Sequence, residues 1–269
     1  MEKKINGVSC KIVDTEWDVY FDMALTMLEE IVKNNKAGKS TVMIVPVGPT
    51  QHYPILAEMV NRFDVSLKNV HFFNMDEYMV SADKAIDENH PMSFKQRMNS
   101  EFYHRVKPEL VMPESQRHFP EPGKEAEYDQ MIEDLGGIDL CLGGLGINGH
   151  VAFNEAAEID DPITADEFAN LNTRVLPISR ETRTINAYGY QRGDLNGMCE
   201  WCITIGMRQI IQSRKIYIAL NRPWQNGPFK HALFDEEQGQ WPATLLRRNE
   251  NLQYCVAADI FEGIENKEG

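Results

Sequence analysis

The chain has 269 residues, enough to bury a sizeable core, and its 42% hydrophobic and 25% charged content excludes wholesale disorder. Its 41 acidic residues against 27 basic ones leave a formal charge of -14, with no basic cluster to offset it, which argues against nucleic acid and anionic membrane surfaces as partners. An anionic ligand would need a few well-placed cations and backbone amides to overcome that field. Five scattered cysteines, Cys10, Cys141, Cys199, Cys202 and Cys255, argue against a disulfide framework. The start Met1-Glu2-Lys3-Lys4 lacks the apolar stretch of a signal peptide, and no run of ~18 apolar residues could span a bilayer, so a cytoplasmic location is expected.

In chain order, apolar residues at Trp17, Tyr20, Phe21, Ala24, Met27, Leu28 and Ile31 fall at helical spacing and predict an amphipathic helix over 15–36, ended by Gly38. The apolar run 41–47 (TVMIVPV) reads as a buried parallel strand followed at once by the turn GPTQ. A helix over 54–63 and strands over 70–74 and 138–143 follow. Beyond a long irregular region come a helix around 198–212, a strand over 215–220 and a last strand over 254–258. Helices alternating with buried strands, with no internal break, predict a single α/β domain over 1–269: a doubly wound, mostly parallel sheet with helices on both faces. Such sheets bind ligands at the carboxyl ends of strands near a switch in strand order. The unusual segments GPTQ (48–51), NMDEY (74–78) and GGLGINGHVAFNE (143–155) each follow a predicted strand, so three strand ends converge on one cleft. The stretch 156–177 has no periodicity and reads as a lid or as a surface excursion.

Gly143, Gly144, Gly146 and Gly149 allow close approach of backbone N–H groups to an anion, or serve as turn glycines; their spacing is not a dinucleotide fingerprint. His150 and Glu155 share one turn-to-helix element, and Asp76 with Glu77 lies at another strand end. Opening a sugar ring needs a group that moves a proton on and off the ring oxygen, and a carboxylate to abstract a proton beside a carbonyl or imine. His150 and Asp76 suit those roles. Cys199 and Cys202 form a lone CxxC inside a helical pattern, without a second pair or a nearby histidine to make a metal site.

At NMDEY and GGLGINGHVAFNE the chain resembles the glucosamine-6-phosphate deaminase (isomerase) family, which is related to the 6-phosphogluconolactonases. Deaminases look like M-D-E-Y and G-H-x-A-F-N-E, whereas lactonases look like D-E-R and G-H-x-A-S-L-F-P; the chain carries Asp76-Glu77-Tyr78 and Phe153-Asn154-Glu155. The resemblance implies conversion of an aminosugar 6-phosphate to fructose 6-phosphate and ammonia, without metal or organic cofactor. It implies Asp76 as the base between C2 and C1, His150 as ring-opening acid/base, and Glu155 as its supporting carboxylate. It also implies a phosphate site at Gly48, Thr50 and Arg183, with Glu77 and the glycines 144, 146 and 149 completing the binding surface. Self-association is common in such a family, so a homo-oligomer is a further expectation.

Four departures bear on the substrate. Asn148 stands where the family has an aspartate, keeping an acceptor for the imidazole but losing a charge; the same exchange in a serine protease costs roughly 10⁴-fold. Pro49 in the phosphate turn has no N–H to offer. The phosphate lysine has no match: Gln225 aligns there, with Arg222 and Lys230 as displaced candidates. Met207-Arg208 and Ala156 replace small residues and a proline, and Arg208 would bring a cation near the cleft. A lactonase, and a degenerate homologue that binds a sugar phosphate without turning it over, stay open beside the deaminase.

Overall fold

A computed structural model of the chain describes residues 1–264 apart from 49, 161 and 162. The strands are β1 (Glu2–Ile5), β2 (Val8–Val13), β3 (Thr41–Val45), β4 (Val70–Asn74), β5 (Asp76–Ser81), β6 (Lys84–Ala85), β7 (Arg117–His118), β8 (Leu140–Gly143), β9 (Arg174–Pro177), β10 (Trp201–Thr204), β11 (Ile216–Leu220) and β12 (Leu252–Ala257). The helices are α1 (Glu16–Lys36), α2 (His52–Arg62), α3 (Phe94–Met98), α4 (Glu125–Asp134), α5 (Ala165–Ala169), α6 (Arg180–Tyr190), α7 (Met207–Ile211), α8 (Asn226–Phe234) and α9 (Ala258–Phe261).

The main sheet runs β1-β2-β12-β11-β8-β3-β4-β7; only the β1–β2 hairpin is antiparallel and every other pairing is parallel. β3, β8 and β11 lie wholly buried, which is why they read as unbroken apolar runs. The chain winds outward from β3 through β4 to β7, then returns to lay β8 against the other side of β3 and continues to β11 and β12. The switch point therefore lies between β3 and β8, and the glycine-rich segments leave from both strand ends there.

A second sheet, β6-β5-β10-β9, is antiparallel throughout and was not foreseen. Its origin is at Met75: the Met75 N–H donates to Val45 O of the main sheet, and Ile205 N–H donates back to Met75 O. The chain thus leaves the main sheet at Asn74 and enters a second layer at Asp76. The helix expected over 198–212 is instead β10 followed by the short α7, so Cys202 sits on a strand, its Sγ toward Leu176 O at 3.6 Å. Gly206 makes the break: a Cβ there would lie 2.1 Å from Leu171 O, so the chain passes against that backbone too closely for any side chain.

α1 is capped by a reciprocal pair, with Thr15 Oγ1 accepting from Asp18 N and the Asp18 carboxylate accepting from Thr15 N. Its core face is Val19, Met23, Met27 and Ile31, whereas Trp17 and Phe21, counted in the apolar stripe from spacing, are exposed. All five cysteines are unbridged. No helix among the described residues is long and apolar enough to cross a membrane.

Candidate active site

A cavity of about 860 Å³, part of it open to solvent, lies over the carboxyl ends of β3, β4, β8 and β11. Each strand contributes its following residues: Val47 and Gly48, then Met75 and Asp76, then Gly144 to Ile147, then Asn221 to Gln225. β5 adds Tyr78 to the wall, on the same face as Asp76 because side chains two apart on a strand point the same way. Thr182, Ile185 and Asn186 of α6 close the cavity from the side.

His150 is built from glycines. A Cβ at Gly146 would fall 2.0 Å from its ring, so only glycine leaves room for the imidazole. Gly149, at φ 78°, turns the chain beneath the Trp241 indole, which would meet a Cβ at 2.9 Å. After His150 the chain makes a tight Val151–Asn154 turn with Ala152 in the left-handed region at φ 56°. Asn154 pins this turn, donating to Val151 O at 3.0 Å and Ile205 O at 2.9 Å while accepting from Arg174 at 2.7 Å. The result brings Glu155 back to the imidazole, 3.7 Å from Nδ1.

Asn148 stands between them. Its Nδ2 donates to Glu155 Oε2 at 2.7 Å, and its Oδ1 lies 2.7 Å from His150 Nδ1. The orientation of the amide is determined by its neighbours: an oxygen turned toward the carboxylate would face charge without a proton, and Oδ1 also receives the His150 backbone N–H at 3.3 Å. Nδ1 therefore carries the hydrogen, and Nε2 presents its lone pair. Burial pulls the imidazole below its ordinary value, and the Glu155 charge only partly opposes this, so the resting histidine is neutral.

Asp76 is also buried, and no hydrogen bond or ion pair reaches its carboxylate from the described residues. Burial first, and the neighbouring Glu77 charge second, push it well above the usual carboxylate range. Glu77 itself, expected to bind substrate, points the other way along β5. Its carboxylate accepts from Tyr78 N, Phe94 N, Lys95 N and Ser93 Oγ at 2.9–3.0 Å, capping α3 and holding Phe94 against the cavity.

The expected phosphate site is rearranged. Gly48 lines the cavity, but Thr50 does not; its carbonyl instead accepts Tyr53 N at the start of α2. Pro49 lies outside the described residues. Arg183 turns away from the cavity and pairs with Glu200 at 2.6 Å. Arg208 also lies elsewhere, paired with Glu133 at 2.6 Å. Gln225, aligned with the missing lysine, is spent on structure: Oε1 accepts Asn221 N at 2.9 Å and Arg222 N at 3.0 Å, and Nε2 donates to Leu145 O at 3.0 Å. Lys230 is not on the wall. Among the described residues lining the cavity, Arg222 is the single arginine or lysine. The described part of the stretch 156–177 contributes no lining residue; it carries α5, with Phe168 and Ala169 buried, and β9 of the second sheet.

Sequence reasoning missed Thr182, Ser179, Asn186 and Tyr78, which connect α6 to the site. Tyr78 closed the NMDEY motif without a role being given to it; the signal on α6 was Ser179 three residues before Thr182, the pattern of a helix N-cap, and here Ser179 Oγ does accept Thr182 N at 3.2 Å.

A buried imidazole of assigned tautomer and a carboxylate without a partner among the described residues face one cavity at a switch point, in the fold of sugar-phosphate deaminases and lactonases. The solved structure of a monomeric glucosamine-6-phosphate deaminase superposes with a TM-score of 0.80 at 19% identity, covering 93% of this chain and 98% of that one. The 6-phosphogluconolactonase of Thermotoga maritima superposes at 0.64 and 17% identity, covering 95% and 100%. No protein-family model matches the chain. Over 251 residues, however, it is 30% identical to the glucosamine-6-phosphate deaminase of Geobacillus sp. (strain WCH70), covering 90% of this chain and 92% of that protein. The chain belongs to the glucosamine-6-phosphate deaminase family.

Proposed function

We propose that the chain converts glucosamine 6-phosphate and water to fructose 6-phosphate and ammonia. The observation that carries this reading is the pairing, on one cavity, of a neutral His150 with an exposed Nε2 lone pair and an Asp76 carboxyl without a partner. His150 Nε2 takes the proton of the anomeric hydroxyl and returns it to the ring oxygen, opening the ring. Asp76, as carboxylate, takes the C2 proton beside the new carbonyl while a proton of the C2 ammonium passes to the carbonyl oxygen, and Asp76 then delivers its proton to C1. The C2 amine becomes an imine, to which water adds, and ammonia leaves.

The substrate brings what the site lacks. Its C2 ammonium is a counter-ion for Asp76 and draws that carboxyl down toward ionisation. Its phosphate meets Arg222, a planar donor suited to a dianion, with Gly48 beside it. Glu155, reached through the Asn148 amide, steadies the imidazolium that forms during ring opening.

The test is to incubate purified protein with glucosamine 6-phosphate and follow ammonium and fructose 6-phosphate together. Both should appear in equal amounts, and Asp76→Asn and His150→Ala should each lower kcat by at least about 100-fold. Binding of the sugar phosphate without either product would replace this reading with that of a sensor.

A further inference from the structure

α6 touches both halves of the reaction centre with one face. At its start, Thr182 Oγ1 donates to Glu155 Oε2 at 3.1 Å and lies 3.1 Å from His150 Nδ1. The Ser179 cap hydroxyl, held by Thr182 at 3.0 Å, lies 3.3 Å from Asn148 Nδ2, so the helix terminus grips the imidazole, the amide and the carboxylate together. One turn on, Asn186 Nδ2 donates to Tyr78 Oη at 3.2 Å. Tyr78 stands two residues from Asp76 on the same face of β5. One further step along the helix, Gly189 leaves room for Arg222: a Cβ there would lie 3.3 Å from Nη1.

Positions 182, 186 and 189 follow the three-and-four spacing of a single helical stripe. That stripe meets, in order, the ring-opening histidine, the strand that carries the carboxylate base, and the cation of the cavity. His150 follows β8 of the main sheet and Asp76 begins the second sheet; the turn after His150 also joins the second sheet directly, through Phe153 N to Thr204 Oγ1 at 3.0 Å beside Asp76 and Asn154 Nδ2 to Ile205 O at 2.9 Å. A helix is stiff along its axis because each turn is hydrogen-bonded to the next. We propose that α6, acting with that tie, fixes the separation of His150 and Asp76, with Thr182 and Asn186 as positioning residues at its two points of attachment.

This inference rests on the roles proposed above for His150 and Asp76. In Thr182→Val, kcat should fall by about 10–100-fold with KM changed by less than about threefold, and Thr182→Ser should recover most of the loss. Asn186→Ala and Tyr78→Phe should each slow exchange of the C2 hydrogen with solvent deuterium, and their double variant should be no slower than either single one, because both remove the same bond. Two signals read the attachment without turnover: the imidazole nitrogens of His150 and the carboxyl carbon of Asp76, followed by nuclear magnetic resonance across pH. The first should move in Thr182→Val and return in Thr182→Ser; the second should move in Asn186→Ala. Failure of the wild type to release ammonium would sink the assigned reaction, while these two signals would still decide the positioning role. Unchanged signals in both variants, or multiplicative losses in the Asn186→Ala/Tyr78→Phe double variant, would overturn it.

Discussion

Asn148 replaces a charge with a relay. A carboxylate at that position would touch the imidazole directly; the amide instead accepts from Nδ1 and passes its own hydrogen to Glu155, placing the negative charge one residue further out. The neutral imidazole is then favoured, and the acid limb of kcat/KM, where His150 gains its proton, should lie below the ordinary imidazole range. Asn148→Asp does not simply restore a family feature, because its new oxygen would meet Glu155 where an N–H now donates at 2.7 Å. Two carboxylates in one buried site repel each other, and protonation of the adjacent imidazole relieves that repulsion. We expect Asn148→Asp to move the acid limb upward, since added negative charge stabilises imidazolium, and to lower stability by about 1–3 kcal/mol. A pH profile and a denaturant titration check both; an unmoved limb would show that Glu155 alone sets the charge felt by His150.

At the scale of elements, the loop after β11 shows what Gln225 does at the position where the resemblance implies a lysine. Gln225 braces that loop internally with two hydrogen bonds, ties it to the loop after β8 with a third, and is nearly inaccessible. Gln225→Lys would leave two backbone N–H groups without an acceptor and bury an ammonium, and should cost about 3 kcal/mol by denaturant titration without tightening substrate binding. A gain in affinity would mean that the loop can open and let the ammonium reach the ligand. The same scale shows what was legible from the chain. β4, with bounds 70–74, and the body of α1 were read from apolar runs and helical spacing, because each contrasts sharply with its flanks. β10 was not: it lies between β5 and β9, its residues after Trp201 are all buried, and Met198, Cys202 and Ile205 fall by chance at helical spacing. β6, β7 and β9 have two to four residues, too few for alternation to register. Of the expected site residues, Asp76, His150, Asn148 and Glu155 assemble because their motifs follow buried strands directly. Glu77 and Arg183 went elsewhere because adjacent residues on a strand or helix face different ways, which a motif does not reveal.

For the whole molecule, two layers meet at Met75 and enclose a cavity whose wall, among the described residues, holds one arginine against a chain of charge -14. We expect selectivity for an anion that also carries an ammonium, since such a ligand offers a phosphate to Arg222 and a cation to Asp76 and a neutral sugar offers neither. The bare Asp76 carboxyl has one more effect. In the empty cavity it retains its proton to higher pH than an ordinary aspartate, and a bound cationic amine lowers that threshold. Uptake of an aminosugar phosphate therefore expels a proton to the medium, so the heat of binding should vary with the ionisation enthalpy of the buffer and apparent affinity should climb with pH until Asp76 is ionised beforehand. Titration calorimetry of Asp76→Asn in two buffers should show no such difference from this site, making the enzyme's ligand grip itself a reporter of the proton it sets aside.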